Sequence, residues 1–101
     1  MWNETTAGTT SGATTTKAGI SGQLLVCRHI SGHSDVDTII QITNDDDTVL
    51  FETKLVTGQN GNGFSIAIPD GIHSGVTGGG LKGKVASSTS DCQVTLSGFS
   101  I

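Results

Sequence analysis

The fold is decided by residues 37–56, DTIIQITNDDDTVLFETKLV, in which two apolar, β-branched runs flank a polar cluster. On both sides of the cluster, apolar and polar residues alternate with a period of two, which places them on opposite faces of a sheet. The cluster is Asn-Asp-Asp-Asp at 44–47, and both residue types tolerate left-handed backbone angles. Because it contains no Gly, the stretch predicts a β-hairpin closed by a four-residue loop.

Outward from this hairpin, four further apolar stretches predict strands, separated by segments rich in Gly, Ser and Asn. The four stretches are 23–30 (QLLVCRHI), 64–68 (FSIAI, ended by a proline), 81–86 (LKGKVA) and 92–101 (CQVTLSGFSI). No window of about 12 residues keeps a helical stripe free of Gly or Pro. The pattern therefore predicts an all-β fold, a small β-sandwich or jelly-roll-like domain of about six to eight strands.

The expected core consists of the apolar residues that share the inward faces of these strands. The set is Leu24, Val26, Ile40, Ile42, Val49, Phe51, Phe64, Ile66, Ile68, Val85, Val94 and Leu96. Hydrophobic residues without Gly make up 34% of the chain, and the 15 Gly bring the sequence near the soluble average of about 45–50%, which counts Gly, but glycine has no side chain to pack. A core this thin suggests that partners supply part of the stability.

Residues 1–19, MWNETTAGTTSGATTTKAG, show neither a period of two nor a helical period, and seven of the first 16 are Thr. Such a segment buries too little apolar surface to offset its ordering entropy. We therefore expect an extended N-terminal arm over 1–19 and a β-sandwich domain over 20–101 that folds without it. The arm is either a disordered tail or an element that orders on a partner. Its candidate partner-binding residues are Trp2, Thr5, Thr6, Thr9, Thr10, Thr14, Thr15 and Thr16.

The charge and composition exclude several classes of function. Five Lys and Arg against nine Asp and Glu give a net charge of −4, which opposes binding to nucleic acid because phosphate contacts need basic side chains. No apolar run is long enough to span a membrane, and the first residues lack the basic and apolar regions of a secretory signal. The chain has no Tyr, one Trp and three Phe, few for the stacking on which glycan binding depends.

Two groups of residues could in principle bind a metal ion. The acidic run 45–47 offers oxygen ligands but lacks the spacing of an EF-hand loop, so we expect a solvated turn, with calcium or magnesium as the alternative. His29, His33 and His73 lie in or near different loops and would have to converge to bind zinc. We expect ordinary surface histidines, and we count the loops around His33 and His73 as secondary candidate partner sites.

The chain shows no constellation for catalysis. No Ser lies in a nucleophile motif such as G-x-S-x-G. Cys27 and His29 share a strand face, but no third group is apparent to orient them. We therefore expect no enzyme activity, no catalytic residue, no cofactor, no bound metal and no small-molecule substrate.

The two cysteines, Cys27 and Cys92, are too few for a disulfide framework. Buried, reduced thiols are the expected state. A bridge between the first and the last of the predicted strands is the alternative.

The layout resembles small virion proteins of tailed bacteriophages, over about residues 18–99. The resemblance is one of strand and glycine placement after a start rich in Thr, Gly and Ala. The corresponding segments are GQLLV (22–26), IIQITNDDDTVLFE (39–52), FSIAIPDGI (64–72), SGVTGGGL (74–81) and CQVTLSGF (92–99). The acidic hairpin tip and the lack of Tyr depart from the pattern.

The resemblance implies a capsid decoration (cement) protein that binds the outside of the head and stabilises it, assembled in the host cytoplasm and located on the virion. It implies two partners, the major capsid protein and copies of the chain itself as a homotrimer, and it implies no cofactor. The alternative is an adaptor or a host-surface glycan-binding module on a fibre or tail. Exposed aromatic side chains beside polar loops would favour that alternative.

Overall fold

A computed structural model of the protein describes residues 1–8, 12–56, 63–88 and 91–101, and these residues form eight strands and no helix. The strands are β1 (Trp2–Gly8), β2 (Ala13–Lys17), β3 (Leu25–Ser34), β4 (Thr38–Asn44), β5 (Val49–Leu55), β6 (Gly63–His73), β7 (Leu81–Val85) and β8 (Cys92–Ser100). Within the described ranges, no helix is long and apolar enough to cross a membrane. The predicted all-β class is confirmed.

The strands pair as one long hairpin that is wrapped around itself. β4 pairs with β5, β3 with β6, β2 with β7 and β1 with β8, and every pair is antiparallel. Two further pairs, β3 with β8 and β4 with β7, join these ladders into two sheets. Sheet 1 has the order β1-β8-β3-β6 and sheet 2 the order β2-β7-β4-β5. This nested order in two four-stranded sheets is that of a jelly-roll sandwich.

The tip of the wrapped hairpin is the loop between β4 and β5, which has the predicted four residues, 45–48. Asn44 Oδ1 accepts hydrogen bonds from the backbone N–H groups of Asp46 and Thr48, at 2.9 and 3.0 Å. Asp47 adopts a left-handed conformation with φ of 62°, which Asp tolerates better than most residues. The polar cluster therefore closes the hairpin through its own side chains.

The core lies between the two sheets. Its buried members are Trp2, Ala13, Leu25, Cys27, Ile30, Ile40, Ile42, Leu55, Leu81, Val85, Cys92, Val94 and Leu96. Of the expected core, Ile40, Ile42, Val85, Val94 and Leu96 belong to this set. Four more expected residues pack against it and are only partly buried: Phe51, Phe64, Ile66 and Ile68.

A β-bulge explains why the inward face of β3 differs from the prediction. Arg28 is an extra residue where the register between β3 and β8 shifts, and such an insertion moves the residues after it to the other face. Leu25 and Cys27 before the bulge and Ile30 after it are therefore all buried in the core. Val26, which was expected there, is buried outside this cluster beside Gly71 of β6.

A second bulge changes the facing of β5. Ile42 pairs with Phe51 and Thr43 pairs with Val49, so Leu50 is the extra residue. Phe51 consequently points between the sheets, whereas Val49 is 47% exposed. The expectation that Val49 belongs to the core is wrong for this reason.

The N-terminal segment is built into both sheets, which corrects the expectation of an arm over 1–19 outside a domain over 20–101. β1 pairs along its whole length with β8, and β2 does the same with β7. Trp2 and Ala13 are each 9% exposed, and Thr15 is 2% exposed. The physical reason is that main-chain pairing needs no apolar alternation in the added strand, and Thr is well suited to extended backbone.

Candidate functional site

The outer face of sheet 1 carries small uncharged side chains in rows that cross all four strands. The register aligns three rows, each in the order β1, β8, β3, β6: Asn3–Ser97–His29–Ala67, Thr5–Thr95–Ser31–Ser65 and Ala7–Gln93–His33–Gly63. We call these twelve residues the hydroxyl face. Neighbours within a row stand one strand spacing apart, about 4.8 Å.

The alternation of each strand produces this face. On β8, Val94 and Leu96 are fully buried, whereas Gln93, Thr95 and Ser97 between them are half-buried on the opposite side. On β1 and β6 the outward positions are exposed. The face is therefore solvent-accessible at its two outer strands and partly covered at its centre by its own neighbours.

Hydrogen bonds between neighbouring strands hold the face together. The Oγ atoms of Thr5 and Thr95 lie 2.8 Å apart, so one hydroxyl donates to the other. His29 Nε2 and Ser65 Oγ lie 2.9 Å apart. Short side chains tied in this way have little conformational entropy left to lose when a partner covers them.

Arg28 and Asp91 lie at the two ends of the hydroxyl face, and within it only His29 and His33 can carry a charge, when they are protonated. At one end, the Arg28 guanidinium lies over the Phe99 ring, 5.8 Å from its centroid. At the other end, His33 Nε2 lies 3.2 Å from the Asp91 carboxylate. The twelve residues include no Asp, Glu, Lys or Arg, although the chain as a whole carries a net charge of −4.

Two of the predicted partner-binding residues, Thr5 and His33, lie together on this face. His73 is the last residue of β6, and its Nδ1 accepts a hydrogen bond from the Gly75 backbone N–H at 3.1 Å. Both His33 and His73 thus belong to strands and not to the loops in which they were expected.

The other predicted threonines do not join them. Thr6 is half-buried on the inward side of β1, and Thr14 and Thr16 are exposed on β2. Thr9 and Thr10 lie outside the described residues. With Trp2 and Thr15 buried, the predicted arm residues are divided between two sheets and do not form one surface.

The outer face of sheet 2 has a different character because it is charged. Asp47 Oδ1 accepts hydrogen bonds from the ammonium groups of Lys84 and Lys82, at 2.8 and 3.2 Å. The hydrogen bonds from Lys84 and Lys82, together with their positive charges, lower the pKa of Asp47 below its ordinary value. Nearby, Gln41 Nε2 donates to Glu52 at 2.7 Å. The acidic hairpin tip thus folds back onto its own sheet.

A cleft of about 190 Å³ lies between this tip and the connection from β6 to β7. One of its walls is fixed by Asp45, whose Oδ2 accepts the Gly80 N–H at 2.9 Å. In the part of the chain that the structure describes, no three His, Cys, Asp or Glu side chains are grouped as metal ligands would be. The Asp45 carboxylate binds the main chain at Gly80, and the Asp47 carboxylate binds the two lysines.

Both cysteines are free and buried, as predicted. Cys27 is opposite Gly98 in β8, whereas Cys92 is opposite Ser34, six positions away along the same strand. That separation is about 20 Å, far beyond the reach of a disulfide. Burial raises the pKa of the Cys27 thiol, which keeps it protonated and unreactive.

The central row of the hydroxyl face was not predicted, because Thr95, Ser31 and Ser65 come from three strands far apart in sequence. The sequence does show polar residues at alternate positions of 93–97, which indicates a solvent face for that strand. The alignment of the row depends on the bulge at Arg28, and no local sequence pattern predicts that bulge.

No known protein family, curated protein or solved structure matches this chain.

Proposed function

We propose that this protein is a non-enzymatic structural protein of a bacteriophage virion, which binds the outer surface of the head and stabilises it as a capsid decoration protein. Its partners are the major capsid protein and copies of itself. The hydroxyl face is the observation that carries the proposal, because it is a broad uncharged surface on the outside of a sheet.

Such a face suits attachment to a large protein surface. Binding it costs little desolvation of charge, since Arg28 and Asp91 lie at its ends and it contains no Asp, Glu, Lys or Arg, and the cores of protein interfaces are depleted in charged residues. Its hydroxyl, amide and imidazole groups can exchange hydrogen bonds with water for hydrogen bonds with a partner.

The size of the face suggests repeated attachment. Twelve residues are about half of the 20–30 that each side of a standard interface contributes, so a single copy would bind weakly. On a shell that repeats the same site many times, contacts between neighbouring copies would raise occupancy through effective concentration. A decoration layer is the setting in which a weak face of this kind becomes sufficient.

A glycan-binding or adaptor module of a fibre or tail is the second candidate. The observation in its favour is that Phe99 is partly exposed and lies beside the hydroxyl face, where a sugar ring could stack. Against it, the Arg28 guanidinium already covers that ring. Trp2 is buried, and Phe51 and Phe64 pack against the core. We therefore place this candidate behind the first.

The experiment uses heads from a phage that carries the gene, prepared from a strain in which the gene is deleted. Purified protein is added back, and its binding is measured by co-sedimentation together with the melting temperature of the heads. We expect the parent protein to bind and to raise that temperature. Thr95→Arg, at the centre of the hydroxyl face, should weaken binding by about tenfold or more, because it buries an unpaired charge.

The matched control is Thr16→Arg, which makes the same change on the outside of sheet 2. It should bind like the parent, and circular dichroism should show that both variants are folded. Equal binding by the two variants would contradict the assignment to the hydroxyl face. Failure of the parent to bind heads, with binding to host cells or to glycans instead, would favour the second candidate.

A further inference from the structure

β5 is an edge strand, and no described strand lies beyond it in sheet 2. An edge strand presents a row of main-chain donors and acceptors to which another strand can add. The pairing of β4 with β7 shows which groups of β5 face outward. The Ile39 carbonyl accepts from the Ala86 N–H on the β7 side, at 3.0 Å. In an antiparallel ladder, Lys54 opposite Ile39 must therefore direct its own N–H and C=O away from β4.

The same alternation applies to the residues two positions away along β5. Glu52 is opposite Gln41 and also presents its main-chain N–H and C=O to the open edge. The side chains of Glu52 and Lys54 are both exposed on the outer face of the sheet. Thr53 between them points inward with Phe51 and Leu55.

The other three edge strands carry features that oppose pairing. β1 and β2 place Glu4 and Lys17 at their shared edge, with Lys17 Nζ 4.0 Å from Glu4 Oε1. On β6, Pro69 lacks a donor and lies in a bulge where the register with β3 breaks. Charged side chains, whether on the edge or directed inward, proline and bulges are the usual protections of a sheet edge. β5 has a bulge at Leu50 and two exposed charged residues, Glu52 and Lys54, but the segment from Phe51 to Leu55 contains no Pro, Gly or bulge, and its two charges have opposite signs.

We propose that β5 pairs with the β5 strand of a second copy of this chain, antiparallel and about a two-fold axis at Thr53. The two four-stranded sheets would then form one eight-stranded sheet across the dimer. This inference is independent of the proposed function, because it depends only on the edge of sheet 2.

The register follows from charge. With the axis at Thr53, each Glu52 stands opposite Lys54 of the second copy, and the two opposite-charge pairs lie on the outer face. The outward-facing main-chain groups of Glu52 and Lys54 could also pair if the two-fold axis lay at Glu52 or at Lys54. Those two registers, however, place two glutamates or two lysines opposite each other. Opposite charges across a strand pair stabilise it and like charges destabilise it.

The apolar side chains agree with the same register. Phe51, which is half-buried, stands opposite Leu55 of the second copy on the inner side of the sheet. Val56, one residue beyond β5, is 37% exposed in the single chain and would lie beside the paired strands. The pairing would therefore cover apolar surface that one copy leaves in water, which is a driving force beyond the hydrogen bonds.

Only the five residues from Phe51 to Leu55 of each β5 stand opposite strand residues of the second copy, a contact below the standard interface size, so we expect a Kd on the order of micromolar. Sedimentation velocity over a range of concentrations should show a monomer that converts to a dimer. Glu52→Lys should lower the affinity by about tenfold or more, because each pair then joins two lysines. The double variant Glu52→Lys/Lys54→Glu should restore the dimer, since the opposite charges are only exchanged.

The matched control is Asp70→Lys, which makes the same charge change on β6 and should leave the dimer intact. Lys54→Pro adds an independent test, because it removes an N–H that faces the open edge and leaves the ladder with β4 in place. We expect it to be a folded monomer. If Lys54→Pro does not fold, Glu52→Lys and the double variant Glu52→Lys/Lys54→Glu decide between dimer and monomer without it.

A cysteine at the axis tests the register. Residues directly opposite in a non-hydrogen-bonded antiparallel pair have Cα atoms about 4.5 Å apart, within the range of a disulfide. Thr53→Cys should therefore form a covalent dimer on mild oxidation, whereas Glu52→Cys, which faces Lys54, should not. A monomer at all concentrations, a trimer, or a dimer unaffected by Glu52→Lys would each overturn the proposal.

Discussion

The two edges of the sandwich differ in how well they are closed. At the edge formed by β1 and β2, Trp2 fills the space between the sheets, and the two strands contact each other across it. At the edge formed by β5 and β6, the contact between the strands is smaller, and Phe51 and Phe64 remain half-buried. The closed edge is nevertheless formed by the more polar strands. Trp2 alone fills the space there, whereas the more apolar strands β5 and β6 leave the opposite edge open.

The comparison also shows that an alternating apolar pattern can lead to two different degrees of burial. In central strands such as β4 and β8, alternating apolar residues are buried by the chain itself. In β5 and β6 the same kind of alternation leaves residues half-exposed. An apolar edge strand is thus a surface that another strand could cover, and the proposed β5 pairing uses this property.

The strongest test of the closed edge is deletion of residues 2–8, which removes β1. We expect the variant to be unfolded, because it loses the ladder with β8 and the core contribution of Trp2, and a domain of this size has a total stability of only about 5–15 kcal/mol. Far-UV circular dichroism and thermal melting would measure the result. Deletion of the exposed Met1 alone is the control. A truncated protein that melts cooperatively near the parent temperature would restore the arm hypothesis.

A pair of single substitutions compares the two edges directly. Trp2→Ala should cost about 3–5 kcal/mol in the free energy of unfolding, because it empties a buried site. Phe64→Ala should cost about half as much, because its ring is only partly buried. Urea denaturation followed by circular dichroism measures both. Val76→Ala, at an exposed residue, is the control and should change the stability by less than about 0.5 kcal/mol. A larger loss for Phe64→Ala would reverse the assignment of the closed edge.

The hairpin over 37–56 and the strands of the second half could be predicted because their residues alternate and their turns have a definite chemistry. The Asn44 side chain and the left-handed Asp47 are local features that the sequence carries in full. The bulges at Arg28 and Leu50 could not be predicted in the same way. They are set by pairing with distant strands, and each reverses the facing of the residues beyond it.

The N-terminal strands and the hydroxyl face were missed for a related reason. β1 owes its place to the edge of β8, which lies about 90 residues away in the chain. Thr5 and His33 were singled out separately, but their common face became visible only when the register was known. The role of a polar residue on a sheet therefore depends on which residues of the neighbouring strands lie beside it.

The smallest expected effect concerns the turn that leads into the open edge. Asp47 connects the loop before β5 to Lys82 and Lys84 of β7, and these lysines lower its pKa below the ordinary value of 3.8. A carboxyl whose pKa is lowered on folding stabilises the protein above the unfolded pKa, and the contribution is lost as the pH falls through the folded pKa. Because the side chain is exposed, the contribution is small and weakened by salt.

Asp47→Asn should therefore lower the urea midpoint slightly at pH 7, and the difference from the parent should shrink as the pH falls below 3.8. At the lowest pH both chains carry an uncharged group at this position, so the lysines no longer distinguish them. Asp46→Asn, one residue earlier in the same turn, is the matched control and should show a smaller change between the two pH values. A difference at pH 7 that persists unchanged in acid would mean that Asp47 acts through contacts that do not depend on its charge. The ion pairs would then have no part in holding the turn against β7.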